Sequence, residues 1–140
     1  MIDERFMFRG KRISLSEKAG EWIVGFYTGI DDGDCIYYIK QGDGYYSVDP
    51  ETIGQCTGLR DKNGTLIWEG DIVKASQPTW GGNYEIGTVE YRTKNACFAF
   101  IHAGHKIPRI IGNYGLRDNE EYEIIGNSYD NAELLEKNIT

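Results

Sequence analysis

The sequence predicts a mainly β fold made of short antiparallel strands, with a short helix near the C-terminus. Three observations carry that expectation. Aromatic residues make up 13% of the chain, mainly as ten Tyr, with 18 Gly and only three Pro, a balance that suits strands and turns. Several segments alternate apolar and polar residues with the period of a strand. Gly-containing turn signals recur between those segments.

Taken in order, "RFMFRGKRI" reads as a short strand broken at Gly10. "SLSEKAG" is a polar turn. In "EWIVGFYTG", Trp22, Val24 and Phe26 share one parity and so one face of a half-buried strand. "DDGD" turns the chain into the strand "CIYYIK", and "QGDG" turns it again into "YYSV". Residues 5 to 48 thus read as three or four antiparallel strands. Pro50 biases Asp49 toward extended geometry, so residues 49 to 56 form a short crossover.

The second region opens on "TGLRDKNGTLIWEGDIV". Asn63-Gly64 is a strong hairpin signal because both residues tolerate positive φ, and it joins a strand near Leu59 to one near Leu66–Trp68. At "EGD", Gly70 supplies a backbone shape that a side chain would forbid, and Asp71 can accept from nearby amides. Such a Gly-Asp corner suits the start of a strand in a small barrel. We therefore read Asn63, Gly64, Gly70 and Asp71 as structural turns, in preference to a ligand loop on Glu69 and Asp71. "YEIGTVEYR" and "ACFAFIH" form a hairpin around "TKN". In "YEIIG", Tyr122 and Ile124 share a face. Asp130 three residues before Glu133 resembles a capping box ahead of a helix with Leu134 and Leu135. Two sub-regions of one compact unit result: a β-meander over 1–56, and a barrel with its helix over 57–140.

Charge narrows the function classes. The net charge is −7, an unfavourable balance for nucleic acid, whose affinity comes largely from cations on phosphates. The acid is concentrated late, at Asp118, Glu120, Glu121, Glu123, Asp130, Glu133 and Glu136, while Arg5, Arg9, Lys11 and Arg12 make the N-terminus locally basic. Cys35, Cys56 and Cys97 are odd in number and widely spaced, as expected of reduced thiols in a cytoplasm. No apolar run approaches the ~20 residues of a membrane span, so a soluble, cytoplasmic protein is expected.

Catalytic constellations find little support. His102 and His105, with Cys97 nearby, are three apart, and on a strand they face opposite sides; no metal is expected. Cys97 lies in apolar "ACFAFI" and reads as core. Ser14, Ser16, Ser47, Ser76 and Ser128 lack a nucleophile-elbow context. Neither a P-loop nor a dinucleotide fingerprint occurs. The expectation is a protein that is not an enzyme and takes no cofactor. The remaining candidates are surfaces. Trp80, Tyr84, Tyr91 and Arg92 could stack a base or bind a peptide, unless Trp80 folds back as a cap. Arg5, Arg9, Lys11 and Arg12 are candidate nucleic-acid contacts, although charge guarding a strand edge explains them as well.

Several blocks carry a resemblance: "FRGKRI" and "GEWIVGFY" early, "VDPETIGQCTGLRDKNGTLIWEGDIV" centrally, and "YEIIGNSYDNAELL" late. With them the chain resembles the YopX family of phages and prophages, found in low-GC Gram-positive bacteria and elsewhere. It departs at Cys56, where an aromatic is expected, and at Ala132, where a proline is expected. The resemblance implies an SH3-like barrel in the C-terminal half, a smaller N-terminal β-region and no catalytic residues. It brings no molecular function with it. The expected role is a non-catalytic phage accessory protein that binds a protein partner or self-assembles. A nucleic-acid-binding barrel is the alternative. A second alternative is inhibition of a host protein through an acidic face at Glu120, Glu121 and Glu123.

Overall fold

The computed structural model describes residues 3–13, 20–31, 36–76, 84–103, 109–110 and 122–136. Eleven strands are described. They are β1 (Met7–Lys11), β2 (Trp22–Asp31), β3 (Ile36–Gln41), β4 (Gly44–Val48), β5 (Gly54–Arg60) and β6 (Leu66–Trp68), then β7 (Asp71–Ser76), β8 (Tyr84–Arg92), β9 (Cys97–His102), β10 (Arg109–Ile110) and β11 (Tyr122–Asn127). One short helix, α1 (Glu133–Glu136), follows. The fold is mainly β, as its composition requires. Hydrogen bonds order the strands β4-β3-β2-β1-β5-β6 in one sheet and β10-β9-β8-β7-β11 in the other. Every strand pair with a described register is antiparallel. The chain divides into two compact units, Met1–Cys56 and Thr57–Thr140, and the division falls inside β5.

In the first unit, β1 to β4 form a meander. β1 is not broken at Gly10. It pairs with β2 without a shift from Met7 to Lys11, and Gly10 is there because an added Cβ would lie 3.0 Å from Val48 Cβ. The meander curls until its ends meet. Arg12 bridges Val48, Ile13 N donates to Ser47 O at 2.9 Å, and Asp49 N donates to Lys11 O at 2.8 Å. Inside the curl, Ile23, Ile39 and Val48 are buried, and Phe8, Tyr37, Tyr46 and Ile53 pack against them. Each buried aliphatic contributes about 1.5–3 kcal/mol. The crossover is a 3-10 turn at Pro50–Thr52, capped by Asp49, whose side chain accepts from Glu51 N. Thr52 then ties it to β1 by accepting from Lys11 N at 2.8 Å.

In the second unit, Ile67, Val73, Ala75, Val89, Phe100 and Tyr122 form the core, with Leu59 and Ile124 packed against it. Strand registers explain the set. Val89 lies opposite Phe100 and Val73 opposite Ile124, so the inward positions of neighbouring strands coincide. Tyr122 and Ile124 share the inward face of β11. Among the described residues no strand pair closes this sheet into a barrel.

The turn chemistry of "TGLRDKNGTLIWEGDIV" differs in detail from its sequence reading. Gly64 adopts φ +82° and Gly70 φ +92°, but Asn63 does not take a positive φ. Asp61 organises the loop instead. Its buried carboxylate accepts from Asn63 N and Thr65 N, each at 2.9 Å, and from Ile124 N at 3.0 Å. At the second corner, Asp71 accepts from Trp68 N at 2.7 Å. Gly70 donates to Val89 O and accepts from Ser128 N, both at 2.8 Å. All of these are bonds to backbone amides and carbonyls, the work of a scaffold.

Candidate functional site

Alternation along β1 to β4 sends one set of side chains into the curl and the other outward. Ile23 and Gly25 take the buried side of β2. Trp22, Val24 and Phe26 do share a face, as the parity requires, and it is the outer one. The register then builds a row across four strands. Met7 pairs with Phe26, Phe26 with Lys40, and Lys40 with Tyr45. Strand spacing places Phe26 and Tyr45 about 10 Å apart, with Lys40 between them. Both rings are open to solvent, Phe26 at 45% and Tyr45 at 61% exposure. Gly25 makes the row possible. A Cβ there would come within 1.9 Å of Lys40 O, so any side chain would force β2 and β3 apart.

Beside this row stand the cations of β1. Lys11 pairs with Trp22 and Arg9 with Val24. The Arg9 guanidinium lies 4.7 Å from the Trp22 ring centroid and the Lys11 ammonium 5.5 Å from it. Lys40 Nζ lies 5.6 Å from the Tyr45 centroid. Contacts of this kind hold long cationic side chains along aromatic faces. By register, the outward positions of these four strands hold three cations, Arg9, Lys11 and Lys40, and one acidic residue, Asp31, at the far end of β2 opposite Ile36.

The residues singled out from sequence are only partly brought together. Arg9 and Lys11 converge on the outer face. Arg12 lies on the other side, over Tyr46 at 4.8 Å, because it is one residue along from Lys11. Arg5 is held in a 3-10 turn by Asp3, with Nη2 2.7 Å from the carboxylate, and that hydrogen bond keeps the Asp3 carboxyl below its usual range and the Arg5 guanidinium above its own.

Trp80 and the proposed aromatic loop lie outside the described residues. Tyr84 and Tyr91 are seven apart on one strand and face opposite sides. Tyr84 lies under Lys74, whose Nζ is 4.3 Å from the ring centroid. Tyr91 extends the row of Phe100 and packs edge-on against Phe98 with centroids 5.3 Å apart. Arg92 pairs with Cys97 at the hairpin end. Those three residues make no common surface.

Cys97 is half-buried and not core, because it opens β9 beside the turn at residues 93–96. Cys56 is the buried thiol. His102 lies beside Phe100, its ring centroid 6.4 Å away, while His105 and Cys35 fall outside the described residues. Among the described residues no cluster of three or more metal-ligating side chains occurs, and no helix is long and apolar enough to cross a membrane. Of the proposed acidic face, Glu120 and Glu121 also lie outside, and Glu123 is 3.1 Å from Lys62 Nζ.

The sequence reading missed Lys40, Phe26 as an outward ring, and Tyr45. Their signal was cross-strand register, which no single segment displays.

A family model described as YopX protein matches residues 3–136. The chain belongs to the YopX family. No curated protein matches it. In this YopX-family chain, the "FRGKRI" block supplies Arg9 and Lys11, and the "GEWIVGFY" block supplies Trp22, Gly25 and Phe26. Lys40 and Tyr45 come from the hairpin that follows. The central block forms the crossover, β5, β6 and the two Asp-organised corners.

Proposed function

We propose that this YopX-family chain is a non-catalytic binding protein whose working surface is the outer face of β1 to β4. The observation that carries this reading is the row Phe26–Lys40–Tyr45, with two exposed rings flanking an ammonium. What sets this pair apart from the other exposed rings is its register with a cation between the two, which offers a partner stacking surface and charge together. The two deeply buried carboxylates, Asp61 and Asp71, accept from backbone amides, which supports a structural role for the most punctuated stretch of the chain. A phage or prophage setting and a cytoplasmic location, both drawn from sequence, belong to the same reading. So does an SH3-like second unit. It is supported by the packing of Leu59 and Ile67 into one core with β7, β8, β9 and β11.

A photo-crosslinking amino acid at Tyr45, compared with the same residue at exposed Glu90, tests the face in cells producing the protein. Adducts at position 45 and none at 90 are expected. They include chain–chain dimers if the partner is a second copy. Equal yields at both positions, or none at either, would refute the assignment.

A further inference from the structure

Resting on that reading of the face, we infer that its occupant is single-stranded nucleic acid. The inference comes from what the register places together. Three cations, Arg9, Lys11 and Lys40, share the outer face with Trp22, Phe26 and Tyr45. Single strands are held by this pair of features: cations along the backbone and aromatic rings on which unpaired bases stack. The spacing suits the task. Phe26 and Tyr45 stand about 10 Å apart across two strand intervals, with Lys40 in the gap. A base on each ring leaves the connecting phosphate facing the ammonium.

Charge favours this occupant over a protein segment of mixed charge. The chain carries −7 overall, yet the outward positions of these strands hold three cations, Arg9, Lys11 and Lys40, against a single acidic residue, Asp31 at the far end of β2. A polyanion is therefore drawn to this face. A duplex, whose base faces are already stacked, engages only the cations. The structure thus assigns a preference for single strands. Stacking tolerates any base, so little sequence preference is expected.

The test uses the whole chain and an end-labelled oligothymidylate of about 12 nucleotides, read by fluorescence anisotropy at about 50 mM salt, where the phosphate contribution is strong. Saturable binding is expected. Three phosphate contacts give a slope of log K against log salt of about −2, or roughly 18-fold weakening on a fourfold rise in salt. Each exposed ring is expected to account for about tenfold in affinity, so Phe26→Ala with Tyr45→Ala weakens binding about 100-fold. Tyr84→Ala, on the second unit, leaves it unchanged. Lys40→Gln, which keeps a long polar side chain at an outward position, lowers the magnitude of the salt slope by about 0.7.

Absence of binding at about 50 mM salt, equal affinity for duplex, or affinity and slope that ignore these substitutions would overturn the inference. Failure here is separable from failure of the face itself. Protease-sensitive, nuclease-resistant adducts at position 45 would keep the face and replace nucleic acid by protein. Loss of both oligonucleotide binding and adducts would remove both.

Discussion

Removing the Asp61 carboxylate should destabilise the second unit more than any other polar change in the central block. Asp61 is 1% exposed. In Asp61→Ala three amides lose an acceptor. Those of Asn63 and Thr65 belong to exposed residues and can rebind water, at about 0.5–1 kcal/mol each. Ile124 N is in a half-buried strand, and leaving it unsatisfied costs about 1–3 kcal/mol. The cavity adds about 1 kcal/mol. The sum is about 4 kcal/mol, a large share of the stability of a small domain. Asp61→Asn keeps one oxygen for the loop but turns an amide toward Ile124 N, for a loss of about 2 kcal/mol. Urea unfolding followed by Trp68 fluorescence, in a Trp22→Phe, Trp80→Phe background, measures this in the unit concerned. The expected order is wild type, Asn, Ala. A loss below about 1 kcal/mol in the Ala variant would refute the reasoning, because it would mean that the strand amide finds another partner at no cost.

Other substitutions test separate parts of the account. Gly70→Val forces a β-branched residue to φ +92° and brings Cβ to 3.0 Å from Tyr129, so stability should fall by about 2 kcal/mol or more, read as a lower melting temperature. A stable Gly70→Val protein that had lost only binding would reverse the structural reading of the corner. Gly25→Ala places a methyl on Lys40 O, and circular dichroism together with oligonucleotide anisotropy should report loss of the first unit's sheet and of its binding at once. Phe100→Ala, at 1% exposure in the second core, should cost about 3–5 kcal/mol in urea unfolding. It should leave the face of the first unit able to bind below the unfolding range.

How much was legible beforehand follows from which signals are local. The strands were readable because alternation and turn residues lie within each segment. "NG" and "EGD" announced their corners through Gly64 and Gly70. What depended on partners far along the chain was not readable. Asp61 looked like one residue of a hairpin turn, yet it reaches Ile124, 63 positions away. "WIVGF" is apolar on both parities, so the sequence could place Trp22, Val24 and Phe26 together but could not say that they face outward. That was decided by Ile23 packing with Ile39 and Val48 inside the curl.

The candidate site shows the same limit. Arg9, Lys11 and Arg12 are adjacent in sequence, but strand alternation separates Arg12 from the other two. Lys40 and Tyr45 joined Phe26 through a register that depends on an irregularity between Tyr27 and Gly29, a shift that no propensity scale contains. Tyr84 and Tyr91 looked like one aromatic surface, and the period of the strand put them on opposite sides.

The most direct test is a map of the binding surface by amide NMR. Titration of the isotope-labelled chain with oligothymidylate should shift the amides of Trp22, Phe26, Lys40 and Tyr45 in concert, while those of Lys74, Tyr84 and Glu90 stay in place. Shifts confined to the second unit, or spread evenly over both, would contradict the claim that the outer face of the first sheet is where this protein binds.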